Sequence, residues 1–430
     1  MSRSRRPPAT RWLRRTMRRL LARVPARARF ALCRALVDCD PDPDLRLELK
    51  VAETRDELED CFRLLHDAYV GCGFMKPDPS GMRVTIYHAL PTTTTLCAKW
   101  EGRVVGTVSI IREGVFGFPL QSAFDLGRVR RQQGPIAEVS ALAVHAEFRE
   151  AGGSILFPLM KFVREYCTRM SDTRHLVIAV HPDQSDLYEA VLFFERLREE
   201  PVAAYDFANG APAVGATLDL PSAAAAFRRA YKGRPPHKNL HAYFFELELP
   251  QIKLPRRRYF TTNDPVMTPQ LLDHFFNRRT QVLARLDDRR KALLWSIYDT
   301  PEYRRVLPPV DQGASTGHVL RRHQRHSLRA PAEFRLEVDG AERIFVFDIV
   351  EISLSGFQAE SRLDLPLHGR GVARVQLGRM DWSHNEVCVV RCKQSDNSRF
   401  YGFRVEEPDD AWCRCVAALE VSLTSRELLR

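Results

Sequence analysis

The stretch Glu138 to Phe157 reads EVSALAVHAEFREAGGSILF, and the order of its elements decides the fold. Val139, Leu142, Ala143 and Val144 are closely spaced apolar residues, which predicts a buried strand. The chain then turns through Arg149, Gly152 and Gly153 into an amphipathic helical pattern. A strand, a glycine-rich turn and a helix N-terminus in that order can cradle an anion. The first amides of a helix are unpaired and sit at the positive end of its dipole.

The flanks extend the pattern on both sides. LCAKWEGRVVGTVSII (Leu96–Ile111) reads as a hairpin, and IAEVSALAV (Ile136–Val144) as the next strand. GSILFPLMKFVREYC (Gly153–Cys167) is a helix and HLVIAV (His175–Val180) a further strand. QSDLYEAVLFFERL (Gln184–Leu197) reads as another helix. Two late strands, GATLDL (Gly215–Leu220) and HAYFFELEL (His241–Leu249), are expected to close the sheet. The fold class is therefore α/β (α+β) for this part.

Charge and punctuation divide the rest. Met1 to Val37 holds twelve arginines and no Lys, Asp or Glu, against a net charge of +11 for the whole chain. The protein is thus a near-neutral body with a basic tail. Within that tail Leu13, Met17, Leu20, Leu21 and Val24 fall at helical spacing with arginines on the other faces. Such a helix suits an anionic membrane surface; a basic arm docked on the body is the competing reading. The tail lacks the uninterrupted apolar core of a signal peptide, and no 18-residue apolar run predicts a membrane span. The ten cysteines show no framework spacing and no histidine at zinc-site spacing. They read as reduced thiols of a cytoplasmic protein, with no metal site.

The expected domains are a basic segment and linker (1–44), an α/β domain (45–250), a helical extension (251–309), a linker (310–320), a β-rich domain (321–418) and a tail (419–430). DCDPDPD (Asp38–Asp44) and PPVDQGASTG (Pro308–Gly317) are the linkers. Thr268-Pro269 is a helix start signal inside the extension. RIFVFDIVEI, GVARVQLG, EVCVVRC and RFYGFRVEE are short β-rich runs that suggest a small barrel.

The ordered series RLLHDAYVGCGF, YHALPTTTTLCA, VVGTVSII, FGFPLQSAFD, IAEVSALAV and NGAPAVGATLDL resembles the long-chain N-acyl amino acid synthases. These are relatives of the acyl-homoserine-lactone synthases and use the Gcn5-related N-acetyltransferase (GNAT) fold. The likeness runs from about Val51 to Pro309. It implies an acyl carrier protein donor whose phosphopantetheine phosphate sits on Arg149, Gly152, Gly153 and Ser154, with no tightly bound cofactor. The thioester is expected along Val139 and Leu142, where strand amides can polarise its carbonyl. It implies Glu138 as base for the attacking amine and Tyr188 as acid for the leaving thiolate. One departure stands out: Ala141 occupies the position where the synthases often carry arginine.

RRHQR (Arg321–Arg325) followed by EISLSG (Glu351–Gly356) resembles the PilZ domain, a bacterial receptor for cyclic di-GMP. The likeness implies that Arg321, Arg322, Arg325, Glu351, Ser353 and Gly356 bind this dianion. Guanidinium groups pair with phosphate and stack on guanine. Glu351 stands where Asp or Asn is usual. The expected protein is an acyltransferase regulated by cyclic di-GMP, cytoplasmic or peripheral at the inner membrane, with no DNA partner. The alternative is a non-enzymatic receptor whose GNAT-like domain is a docking module.

Overall fold

The computed structural model of the 430-residue chain describes residues 25–132, 134–149, 153–261, 267–298, 301–310, 325–338, 340–361, 363–394 and 399–420. The amphipathic stretch Leu13–Val24 and three expected site residues, Gly152, Arg321 and Arg322, lie outside these residues.

The hairpin is β2 (Thr93–Trp100) and β3 (Arg103–Arg112), joined at Glu101-Gly102. Both turn residues have positive φ, 50° and 83°, the geometry that matches the twist of a two-residue hairpin. β1 (Leu47–Val51) pairs with β2, and β4 (Ile136–Val144) with β3. β5 (His175–Val180) runs parallel to β4. β6 (Glu195–Arg196), β7 (Val202–Tyr205) and β8 (Ala211–Asp219) complete the sheet, whose order is β1-β2-β3-β4-β5-β8-β6 with β7 also on β8.

Each face of the sheet carries a core. α3 (Leu156–Met170) and α4 (Leu220–Tyr231) bury Leu159, Phe162, Val163, Phe227 and Tyr231 against one face. α2 (Arg55–Cys72) covers the other. Its start is a capping box in which Thr54 and Glu57 satisfy each other's backbone amides. The helical extension joins α2 there, with Leu272, Phe275, Phe276 and Leu294 of α5 (Asp288–Ile297) buried in the same cluster. Thr268 caps the extension's first turn, accepting from the Leu271 amide.

Three sequence expectations are corrected. His241–Leu249 is not a strand: Ala242–Glu246 forms a π-helical turn. The carbonyl of Phe244 is taken by Lys161 at 3.3 Å and Arg164 at 3.1 Å rather than by a neighbouring strand. Gln184–Leu197 is not one helix. A π-helical turn spans Leu187–Val191, Phe193 adopts φ 60°, and Glu195–Arg196 then pairs with β8. The start of the extension is also not helical, because Phe260 is extended and bonded into the second unit, its amide donating to the Leu377 carbonyl at 2.9 Å.

That second unit is a closed antiparallel barrel. Its strands are β9 (His326–Val338), β10 (Ala341–Ser353), β11 (Gly356–Ser361), β12 (Arg370–Gln376), β13 (Trp382–Gln394) and β14 (Arg399–Val405). Their order is β10-β11-β14-β13-β12-β9. Closure leaves no free sheet edge. α6 (Asp410–Glu420) plugs one end with Trp412, whose indole N–H donates to the Ser353 carbonyl at 3.0 Å.

The strap Arg257–Thr261 ties the units together. Arg258 grips Asp381 of the barrel at 2.8 Å, and the Arg329 amide donates to the Phe260 carbonyl at 2.9 Å. On the other side Arg257 donates to the Tyr166 hydroxyl of α3 at 2.9 Å. Tyr166 in turn meets Thr94 of β2 at 3.1 Å.

Candidate functional site

The parallel pair β4/β5 decides the first site. It is hydrogen-bonded only over Ile136–Glu138 opposite His175–Val177. Beyond Glu138 the two strands part, and among the described residues Ser140 to Val144 have no strand partner on that side. The bulge that turns the chain here falls at Ala141, which has φ 54°, where the β3/β4 register slips. Ala141 and Ala143 face the α2 core, whereas Val139 is buried in the opposite one and Leu142 packs at its margin.

Glu138 sits where the strands separate and is 1% exposed. The Leu120 amide donates to its Oε2 at 3.0 Å, and Ser140 supplies a side-chain hydrogen bond. No cation pairs with it among the described residues. Burial therefore dominates, and its pKa is pushed up to about 8 despite the two hydrogen bonds.

Three tyrosines stand within electrostatic reach of this carboxyl. Tyr205 is 4% exposed, and its hydroxyl is buried without a hydrogen-bond partner among the described residues. Burial, and then the charge of Glu138, raise the pKa values of Tyr69, Tyr87 and Tyr205. Tyr188 is 8% exposed and packs edge-on against Phe194 at 5.7 Å. Burial and then Tyr69 raise it to about 12, so it holds its proton at neutral pH. Tyr69 thus lies within electrostatic reach of both expected catalytic residues.

At the turn, Gly153 has φ 90°, and a Cβ there would stand 2.7 Å from the Phe157 ring. The position requires glycine on both counts. The Ser154 hydroxyl is buried and, among the described residues, unpaired. Arg149 Nε donates to the Val144 carbonyl at 2.7 Å, clamping the end of β4.

The second site is a pocket of about 180 Å³ on the barrel, lined by Arg325, Glu351, Ser353, Gly356, Arg391 and Arg404 among others. The structure thus brings together the four described residues expected there. Arg325 Nη1 and Glu351 Oε2 form an ion pair at 2.6 Å. Ser353 Oγ donates to the Gly356 carbonyl at 3.1 Å and closes the β10/β11 turn. A Cβ on Gly356 would lie 2.3 Å from the Phe403 carbonyl oxygen, so only glycine fits. Arg391 and Arg404 escaped the sequence reading. They reach the pocket through β-register, Arg391 opposite Gly402 and Arg404 opposite Gly356, and no short motif announces that pairing. His326, next to Arg325, is fully buried, and among the described residues neither ring nitrogen is bonded. Burial lowers its pKa to about 4.

The splayed parallel pair with its bulge, followed by the barrel, defines the class: a GNAT-like α/β fold joined to a PilZ-like β-barrel. Within it, residues 60–219 match the family model described as N-acyl amino acid synthase FeeM. No curated protein matches the chain. Among solved structures, the N-acyl amino acid synthase FeeM from uncultured soil microbes is 20% identical, covering 42% of this chain and 93% of its own, with a TM-score of 0.36. The CoA-dependent acyl-homoserine lactone synthase BjaI, with SAM and isopentyl-CoA, is 21% identical over 44% of this chain and 90% of its own, TM-score 0.31. The PilZ domain of YcgR from Escherichia coli, with c-di-GMP, is 17% identical over 24% of this chain and 93% of its own, TM-score 0.20.

Proposed function

We propose that the chain is an N-acyltransferase that moves a long-chain acyl group from acyl carrier protein to the amine of an amino acid or similar small amine. Cyclic di-GMP bound at the barrel regulates it. The observation that carries this reading is Glu138, a buried carboxyl without a cation partner, placed where β4 and β5 separate.

In this reading the phosphopantetheine arm enters between the splayed strands. Its phosphate meets the turn at Gly153 and Ser154, whose unpaired hydroxyl gains a partner. The thioester lies along the free side of β4, whose amides stabilise the developing oxyanion. The amine nitrogen attacks the carbonyl carbon, and Glu138 takes the ammonium proton. The C–S bond then breaks, and Tyr188 protonates the leaving thiolate. With a pKa near 8, about one-tenth of Glu138 is ionised at pH 7, and that fraction is a base well matched to an ammonium group.

Cyclic di-GMP occupies the Arg325–Glu351 pocket and draws Arg325 toward phosphate. Arg325 immediately precedes β9, and β9 is bonded to the strap whose Arg257 reaches Tyr166. This chain of contacts supports a regulatory path from the barrel to β2. The N-terminal arginines hold the protein to an anionic membrane surface. Part of that segment is committed to the body instead: α1 (Ala26–Ala35) docks through Arg29 on Asp186 at 3.2 Å and Arg34 on the Ala190 carbonyl at 3.2 Å. Among the described residues, no helix is long and apolar enough to cross a membrane.

The test incubates the full chain with dodecanoyl-acyl carrier protein, or dodecanoyl-CoA in parallel, and an amino-acid mixture, with and without cyclic di-GMP. A new acyl-amide mass that responds to the nucleotide and disappears in Glu138→Gln is expected. Folded protein that yields no amide from either donor would leave the docking-module reading in its place.

A further inference from the structure

A cleft of about 530 Å³ lies where the two units meet, and no residue of either candidate site lines it. Pro135, just ahead of β4, and Arg174, just ahead of β5, form its rim. It therefore opens at the opposite end of β4 from the turn at Gly153. Arg164 and Thr168, one turn apart on α3, continue through Asp172 along one side. Leu220, Pro221 and Ala224, from the first turns of α4, bring the positive end of that helix to another. Phe245 lies under Arg164, and Arg329 of β9 lines the cleft from the barrel.

The three guanidinium groups of this cleft are unevenly compensated. Arg164 has no carboxylate within ion-pair distance among the described residues. Its Nη1 donates to the Phe244 carbonyl at 3.1 Å, and its guanidinium lies over the Phe245 ring at 4.2 Å. Burial pulls its pKa below the usual guanidinium value, as expected of a charge short of a partner. Arg174 spends its Nε on Asp219 at 3.0 Å, a carboxylate that also caps α4 through the Ser222 amide. Arg329 divides between Asp348 of its own barrel at 3.2 Å and Asp172 across the cleft at 3.8 Å. The second contact is too long for a hydrogen bond. Gly134 has φ 101°, and a Cβ there would stand 2.6 Å from the Arg174 side chain. Glycine at this position lets Arg174 lie across the rim.

We infer that this cleft is a binding site for a diphosphate, free or carried on a small molecule, held between the α/β unit and the barrel. A carboxylate fills a single guanidinium fork. A phosphoryl group has three terminal oxygens, too few for three forks, and a diphosphate offers about twice as many. A volume of about 530 Å³ also exceeds what one phosphate fills and falls within the range of organic-ligand pockets. With the anion in place Arg164 gains the counter-charge that the fold withholds, and Arg329 exchanges its long contact with Asp172 for a direct bond. A ligand gripped from both sides fixes the joint between the units and stabilises the chain by mass action. The site is independent of the acyltransferase reading, since it uses neither Glu138 nor the turn at Gly153.

Calorimetric titration of the full chain with pyrophosphate, orthophosphate and ADP tests the assignment. Wild type should bind pyrophosphate in the cleft about tenfold or more tightly than orthophosphate. Ala224→Glu adds a negative charge to the cleft wall without deleting a hydrogen bond, and it should abolish that binding. Ala224→Gln, of equal bulk and no charge, should keep it. Arg164→Met and Arg329→Met should each weaken it about 10- to 100-fold, the usual worth of hydrogen bonds to a charged group. ADP bound at least as tightly as pyrophosphate assigns a diphosphate carried on a small molecule, and weaker ADP binding assigns the free ion. No pyrophosphate binding at millimolar concentration, or orthophosphate bound as tightly as pyrophosphate, would overturn the inference. So would pyrophosphate binding indifferent to Ala224→Glu, because the anion would then sit at the turn of Gly153 or in the barrel pocket. Should Arg164→Met fail to fold for want of its bond to the Phe244 carbonyl, the Ala224 pair and Arg329→Met carry the same comparison.

Discussion

Two glutamates, Glu138 and Glu351, stand at the centres of the two sites, and their surroundings are opposite. Glu138 is buried, with an amide and a hydroxyl as its only partners among the described residues, and burial pushes it up to about 8. Glu351 is partly exposed, its side chain at 29%, and is held by the Arg325 guanidinium at 2.6 Å. A carboxyl denied a cation keeps its proton and becomes a base of useful strength. A carboxyl paired with a guanidinium in partial contact with water can act as a reversible clasp. In the proposed mechanism the same side chain serves proton transfer in one unit and ligand-dependent release in the other.

The largest effect that could break this contrast is on turnover. Glu138→Gln should lower acyl transfer about a thousandfold, the ordinary worth of general-base catalysis. It should leave the melting temperature unchanged or raised, because the amide mimics the neutral acid that the site prefers. Parallel steady-state assays and calorimetric scans check this. Turnover retained within a few-fold would reassign the base.

In the barrel the strictest demand is steric. Gly356→Ala forces a Cβ against the Phe403 carbonyl oxygen and should cost about 3 kcal/mol of stability. Urea unfolding measures it. A change within about 0.5 kcal/mol would mean that the β10/β11 turn yields and that the pocket is less rigid than the register implies.

Acid should unsettle the barrel through His326. Its folded pKa, about 4, lies below the unfolded value of about 6.5, so the folded state binds fewer protons. Stability is complete above the unfolded pKa and falls as pH drops toward 4. Between pH 7 and pH 5 the loss should be about 2 kcal/mol, and His326→Leu should remove that component. Denaturant titrations at the two pH values, with no difference between wild type and variant, would assign acid sensitivity elsewhere.

The smallest effect sharpens the clasp. Glu351→Gln removes the charge that competes with phosphate for Arg325, and cyclic di-GMP should bind about tenfold more tightly, which is about 1.4 kcal/mol. Calorimetric titration decides the sign. Weaker binding would show that Glu351 orients Arg325 for the ligand instead of restraining it.

The sequence made the frame of both units readable for local reasons. Alternating apolar residues and a Glu-Gly turn specify β2 and β3, and two glycines mark the turn ahead of α3. The expected strand at His241–Leu249 failed because its aromatic residues suit either period. Lys161 and Arg164, some eighty residues earlier, settle the outcome by capturing the Phe244 carbonyl. The break at Phe193 was equally hidden, since nothing in a phenylalanine announces φ of 60°. Among the site residues, Glu138 and the Arg325/Glu351 pair follow from short motifs. Arg391 and Arg404 do not, because each reaches its site through strand register between distant segments.

The central claim, that Glu138 is a neutral acid at pH 7 and titrates near 8, can be measured without substrate. Infrared difference spectra between wild type and Glu138→Gln, recorded from pH 4 to pH 10, follow the protonated carboxyl band of this one residue. Folded pKa above unfolded pKa means that the folded state holds the proton longer, so stability contributed at Glu138 is lost as pH rises from about 4.5 toward 8. The band should persist through neutrality and disappear with a midpoint near pH 8. Its disappearance by pH 5 would show an ordinary carboxylate and contradict the account.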